Sequence, residues 1–137
     1  MTHLIDLAAR VEAMTGACPE TDALIALAAY EGRWPIASYG GQPINYDPAL
    51  WMERHCFEPT ASLDAALAMV PADSFWRVGH DGDGPDPSLF KAVVSVSKEG
   101  DIAITFRMAI AETAPLAMCA AALRARAYLW LANRAHA

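Results

Sequence analysis

The amino-acid sequence predicts an α+β fold in which helices precede and follow a three-stranded antiparallel sheet, in the order α-α-(loop)-α-β-β-β-α. Apolar residues recur every three or four positions in the first thirty residues and after residue 112, which indicates helices. Between residues 75 and 108 the apolar period falls to two, which indicates strands. The chain has 137 residues, the size of one ordinary domain, so we expect a single α+β domain over 1–137.

Two helices are predicted at the start of the chain. The first covers residues 2–15, where Thr2 can cap the helix and Gly16 can end it. The second has Pro19 in its first turn and stops at Gly32. Because the connection is short, we expect the two helices to pack as a hairpin.

An irregular, aromatic-rich excursion follows at residues 33–59, punctuated by proline and glycine. Long segments of this kind are usually functional or disordered, and aromatic residues argue against disorder. The rings either anchor the segment to the core or form a recognition surface. The candidate partner-binding residues here are Trp34, Tyr39, Tyr46 and Trp51.

The sheet is predicted from alternation, after a short helix that Ser62 caps. Its apolar side is assigned to Trp76, Val78, Phe90, Ala92, Val94, Val96, Ile102, Ile104, Phe106 and Met108. Glu99-Gly100 is the predicted hairpin turn between the second and third strands. The alternate positions include Arg77, Lys91 and Arg107, which form either an ordinary solvated face or a site for an anionic ligand.

The last helix is predicted from about Thr113 to Arg134, with Pro115 in its first turn. It is apolar nearly all round, and such a helix is normally covered on both sides. We expect the sheet to cover one side, and either the N-terminal hairpin or a second copy of the protein to cover the other.

The stretch GHDGDGPDP, residues 79–87, has the composition of a cation site but not its spacing. Counted from Asp81, an EF-hand would need a ligand where Pro85 stands, glycine where Asp86 stands and glutamate where Ala92 stands. Glycine, aspartate and proline are also the usual turn residues, so we interpret the stretch as a connection between strands. We predict no metal site and no cofactor.

The sequence contains no visible catalytic constellation, and the protein is predicted not to be an enzyme. His55 and Cys56 are adjacent, so on a regular element their side chains would point apart. Cys119 lies among alanines and leucines, which is typical of a small core residue. An odd number of cysteines, three, favours reduced thiols and a cytoplasmic location.

The net charge and the hydropathy of the chain indicate which classes of binding partner to expect. The net charge of −6 argues against general nucleic-acid binding, which needs a basic surface. No apolar run approaches the length of a membrane span, so we expect no membrane association. We therefore expect the chain to bind a protein partner or to associate with itself.

Four segments together resemble the phage ABA sandwich domain, a family of small phage and prophage proteins. The similarity covers most of the chain outside its middle. It implies a sheet sandwiched by helices, in agreement with the periodicity, and it implies no catalytic residues. The segments are LIDLAARVEAMTG (4–16), PTASLDAALAMVP (59–71), FWRVG (75–79) and LAMCAAALRARA (116–127).

Three functional hypotheses follow from these observations. The first is a phage- or prophage-encoded, non-catalytic protein-binding module, of which an acidic inhibitor of a host defence nuclease complex is one form. The second is a small-molecule or nucleotide binder that uses the basic sheet face. The third is a self-assembling module, suggested by the doubly apolar last helix.

Overall fold

A computed structural model describes residues 2–30, 57–97 and 104–134 of the chain. The helices in these ranges are α1 (Thr2–Glu12), α2 (Pro19–Tyr30), α3 (Leu63–Leu67) and α4 (Ala114–Arg134). The strands are β1 (Phe75–His80), β2 (Phe90–Ser97) and β3 (Ile104–Ala111). The predicted α+β class and the order of elements are confirmed.

Two of the predicted helix starts are confirmed in atomic detail. The hydroxyl of Ser62 accepts a hydrogen bond from the backbone N–H of Ala65 at 3.3 Å and caps α3. The hydroxyl of Thr113 accepts from the N–H of Leu116 at 3.3 Å and caps α4. Each bond satisfies a backbone donor that the first turn of a helix leaves unpaired.

The strands form one antiparallel sheet in the order β1-β2-β3, so β1 and β3 are its edges within the residues that the structure describes. The register places Trp76 opposite Val94 and Val94 opposite Arg107. Residues that lie directly opposite in an antiparallel pair share a face. One face of the sheet therefore includes Val78, Ala92, Val94, Ala109 and Ala111.

Helix α4 packs on that face and is enclosed between two layers. It contacts all three strands on one side, and α1 and α3 on the other. Every residue from Leu116 to Leu123 is buried. The sheet therefore contacts the last helix as predicted, whereas of the predicted N-terminal hairpin only α1, together with α3, packs against it in the part of the chain that the structure describes.

Small side chains allow the close packing of α4 on the sheet. Ala92, Ala109 and Ala111 of the sheet are at most 2% exposed, and α4 is itself rich in buried alanine. Because alanine carries a single methyl group, the helix and the strands can approach closely without overlap. The larger apolar residues of β3, Phe106, Met108 and Ile110, lie on the opposite face.

A charged pair joins the two ends of the chain at the β3 edge. Glu12 of α1 and Arg124 of α4 form a salt bridge and a hydrogen bond. Glu12 Oε2 also accepts from the N–H of Ile110 at 2.9 Å, and Arg124 Nη1 donates to the carbonyl of Met108 at 3.0 Å. Two outward-pointing backbone groups of an edge strand are thereby satisfied by side chains.

A second polar network fastens the segment before α3 to α2. Thr60 is buried, and both its N–H and its hydroxyl donate to the carboxylate of Asp22, at 3.0 and 2.9 Å. The same hydroxyl accepts from the N–H of Cys18 at 3.0 Å. Burial raises the pKa of Asp22, and the bonds from Thr60 partly offset that effect.

Across the described ranges, none of the helices combines the length and the apolar character needed to cross a membrane.

Candidate binding site on the open face of the sheet

The face of the sheet opposite α4 is the candidate binding site, and we call it the open face. Three cross-strand rows define it, each with one residue from every strand. The rows are Phe75, Ser95 and Phe106; Arg77, Val93 and Met108; and Gly79, Lys91 and Ile110.

The open face corrects the sequence-based assignment of β3. Phe106 and Met108 were predicted to share the apolar side with Val94, but they lie on the opposite face. The reason is the parity of antiparallel pairing: Val94 is opposite Arg107, so even positions of β2 share a face with odd positions of β3. The more hydrophobic set of β3 therefore points away from the core.

Large apolar side chains on this face are exposed to solvent. The exposed fraction is 77% for Phe75, 62% for Phe106, 47% for Met108 and 37% for Ile110. Single exposed apolar residues are ordinary on protein surfaces, but contiguous groups of them mark binding sites. Here Phe106, Met108 and Ile110 follow one another along a single strand, which makes the group contiguous.

Arg107 does not belong to the basic group in which the sequence analysis placed it. It lies on the α4 side of the sheet, and its guanidinium carbon is 4.6 Å from the ring centroid of Tyr128. Its Nη1 donates to the carbonyl of Phe106 at 3.0 Å. A guanidinium over an aromatic ring is a stabilising contact, so Arg107 has a structural role within the fold.

Arg77 and Lys91 do lie together on the open face. With Gly79, His80 and Asp83 they line an open depression of about 250 Å³. Gly79 is directly opposite Lys91 and has no side chain, and a Cβ placed there would meet nothing within 4 Å. The depression thus combines two cations with room for a ligand group, although Asp81 and Asp83 also line it.

The GHDGDGPDP stretch connects β1 to β2, as the sequence analysis predicted. Backbone bonds from Asp81 N–H to the Leu89 carbonyl, and from Gly84 N–H to the Asp81 carbonyl, shape the turn. Asp86 Oδ1 accepts from both the N–H and the hydroxyl of Ser88, and the bond from that hydroxyl is foremost among the causes that lower the Asp86 pKa. Among the residues that the structure describes, no three His, Cys, Asp or Glu side chains are grouped to hold a metal ion.

The thiols differ in their surroundings. Cys119 is buried, as predicted, and burial raises the pKa of its thiol well above the usual value. Cys18, which the sequence analysis did not single out, precedes α2 and accepts the first-turn bond from the N–H of Asp22. The pKa of the Cys18 thiol is lowered by hydrogen bonding to Thr21, in the first turn of α2. The sequence feature that indicates a lowered thiol pKa is the position of Cys18 directly before Pro19, which starts a helix.

The candidate partner-binding residues Trp34, Tyr39, Tyr46 and Trp51 lie outside the described ranges, so their role stays a prediction. His55 and Cys56, which are not expected to form a catalytic pair, also lie outside these ranges.

Comparisons of the chain with family models, with curated proteins and with solved structures gave no match.

Proposed function

We propose that this chain is a non-catalytic protein-binding module that binds its partner through the open face. The observation that carries the proposal is the exposure of Phe75, Phe106, Met108 and Ile110 on one face of the sheet. The resemblance to the phage ABA sandwich domain supports a phage or prophage setting for this binding.

The energetics favour a covered state of the open face. Full burial of a phenylalanine, methionine or isoleucine side chain typically contributes about 1.5–3 kcal/mol. Interfaces also have apolar and aromatic centres with polar rims. On this face the cations Arg77 and Lys91 lie beside an apolar stripe formed by Phe106, Met108 and Ile110. A partner that covers the stripe would therefore gain binding energy from side chains that contribute little to the fold.

Affinity purification from the cells in which the protein is made tests the proposal. The variant Phe106→Ser with Met108→Ser removes two apolar side chains from the open face. The control Ile5→Ser removes an apolar residue of similar exposure, 46%, from α1. We expect the control to retain the proteins bound by the wild type and the double variant to lose them. Retention of the same proteins by the double variant would contradict the proposal.

Anion binding is a second candidate, and the depression beside Arg77 and Lys91 is the observation that favours it. Two adjacent cations can bind a phosphate or carboxylate through charge-assisted hydrogen bonds. Inorganic phosphate and nucleotides should then raise the melting temperature of the wild type, and Arg77→Gln with Lys91→Gln should abolish the shift. An unchanged melting temperature in the wild type removes this candidate.

A further inference from the structure

We propose that the open face binds an amphipathic helix of a different protein, and that this helix carries carboxylates along one flank of its apolar side. This inference rests on the proposed function, because it names the partner of the same surface. Its basis is the placement of the apolar side chains and the two cations on that surface, and of the β3 backbone groups that Glu12 and Arg124 already bond.

The apolar stripe has the length and direction of a short helix. Phe106, Met108 and Ile110 occupy every second position of β3, and two such steps span about 13 Å. About nine helical residues cover the same distance, and side chains at intervals of four lie on one side of such a helix. Val93 and Phe75 widen the stripe towards β2 and β1. A helix with three or four apolar residues on one side would cover these side chains.

The charges set the chemistry of one flank. Arg77 and Lys91 lie on the β1 and β2 side of the stripe. At the strand positions that the structure describes, the open face has no acidic residue, although the whole chain has a net charge of −6. A helix lying along β3 would therefore place one flank beside two cations, and carboxylates on that flank complement them.

The opposite flank meets different chemistry. At the β3 edge the carboxylate of Glu12 already accepts from Arg124 and from the N–H of Ile110. The salt bridge with Arg124 neutralises Glu12, so this edge offers no attraction to carboxylates on that flank of the helix. The attraction of Arg77 and Lys91 therefore determines which flank of the helix carries the acids, and so which way round the helix lies.

The same edge disfavours binding by an added strand. An incoming strand would need the N–H of Ile110 and the carbonyl of Met108, and Glu12 and Arg124 occupy both groups. A second copy of the chain is disfavoured for another reason. Two open faces in contact would bring Arg77 and Lys91 of each copy into one interface without strand acids to pair them.

Two synthetic peptides test the proposal on the full chain. Each has 16 residues, leucines at helical spacing and a covalent staple that holds the helix; one carries glutamates along one flank and the other carries lysines there. We expect the glutamate peptide to bind roughly tenfold more tightly by fluorescence anisotropy, and higher salt to reduce the difference. Arg77→Glu with Lys91→Glu should reverse the preference, whereas Arg10→Glu on α1 should leave it unchanged.

The outcomes separate this inference from the proposed function. If the two peptides bind equally or not at all, or the charge-reversed variant keeps its preference, the helix proposal is wrong. The protein-binding function still stands in that case, provided that Phe106→Ser with Met108→Ser loses the cellular partner. Concentration-dependent dimers that Met108→Ser abolishes, or binding to phosphatidylglycerol vesicles in place of the peptides, would also overturn the proposal.

Discussion

Glu12 and Arg124, which are 112 positions apart in the chain, form a salt bridge against the edge of the sheet. Each also bonds the β3 backbone, Glu12 at Ile110 and Arg124 at Met108. The pair thus joins the first helix, the last helix and the last strand. It also occupies backbone groups of an edge strand whose side chains on the open face, Phe106, Met108 and Ile110, are apolar. Unprotected edge strands of that kind are prone to aggregation.

Loss of the Glu12 carboxylate should destabilise the fold by about 1–2 kcal/mol at neutral pH, because Glu12→Gln weakens a charge-assisted bond and removes the ionic contact. The side chains of Glu12 and Arg124 are each 26% exposed, so solvent screens the pair only in part. Urea denaturation measures the change. Asp6→Asn, which removes an exposed acid from the same helix, is the control and should have little effect. Equal stability of Glu12→Gln and the wild type would show that the contact contributes nothing.

The same pair makes stability depend on pH. Burial acts to raise the pKa of Glu12, but hydrogen bonds from Arg124 and Ile110 and the charge of Arg124 outweigh it, so the pKa lies below the usual 4.5. A lowered folded-state pKa stabilises the protein above the usual value, and this contribution disappears as the pH falls through the folded-state value. We expect the stability difference between the wild type and Glu12→Gln to shrink in acid. A difference that is constant between pH 7 and pH 3 would contradict this explanation.

Thr60→Val should cost about 1–3 kcal/mol, because it leaves the buried Asp22 carboxylate and the Cys18 N–H without a hydroxyl partner. Burial already raises the Asp22 pKa, and the loss of a donor to the charged form would raise it further. The variant should therefore lose more stability as the pH rises above the usual Asp value of 3.8. Thr60→Ser keeps the hydroxyl and serves as the control in thermal unfolding. If the two variants unfold alike, the hydroxyl is not the cause.

Substitution by glutamine should change the stability of the fold very unequally at two adjacent residues of β3, Met108 and Ala109. Met108→Gln places a polar side chain on the open face and should change stability by less than about 0.5 kcal/mol. Ala109→Gln forces a larger polar side chain against α4 and should cost at least about 3 kcal/mol. Denaturant titration of both variants tests the register directly. Comparable losses in the two variants would show that the faces of β3 are assigned incorrectly.

The fold was predictable from the sequence because its signals are local. Ser62 and Thr113 are capping residues at the positions where helices begin, and the alternation in β2 marks a strand with Val94 on its buried side. The faces of β3 were not predictable from hydrophobicity, because the larger residues Phe106 and Met108 point outwards. Only pairing with β2 settles that question, and pairing is a long-range property.

The candidate site was predicted only in part for the same reason. Arg77 and Lys91 share the open face because Lys91 pairs with Gly79, two residues after Arg77 on the same strand. Arg107 was grouped with them by residue type and alternation, yet it stacks on Tyr128 of α4, which is distant in sequence. Neither contact leaves a mark within any short window of the sequence.

Arg107 should contribute to stability rather than to ligand binding. Arg107→Gln removes the contact with Tyr128 and should lower stability by about 0.5–2 kcal/mol, while Arg77→Gln on the open face should not. Thermal unfolding of the two variants makes the comparison. If Arg77→Gln is the more destabilising change, the structural roles assigned to the two arginines are reversed.

Two glycines of the connection between β1 and β2 should differ in their tolerance of alanine. A Cβ at Gly84 would overlap the carboxylate of Asp81, whereas a Cβ at Gly82 would meet nothing within 4 Å. Asp81 is 6% exposed, so its carboxylate must either move towards solvent or displace its neighbours. We therefore expect Gly84→Ala to cost about 1–3 kcal/mol and Gly82→Ala to be neutral or slightly stabilising. Chemical denaturation of both variants provides the measurement. Recovery of Gly84→Ala by the further change Asp81→Ser would identify the overlap as the cause, and failure to recover would attribute the loss to the backbone.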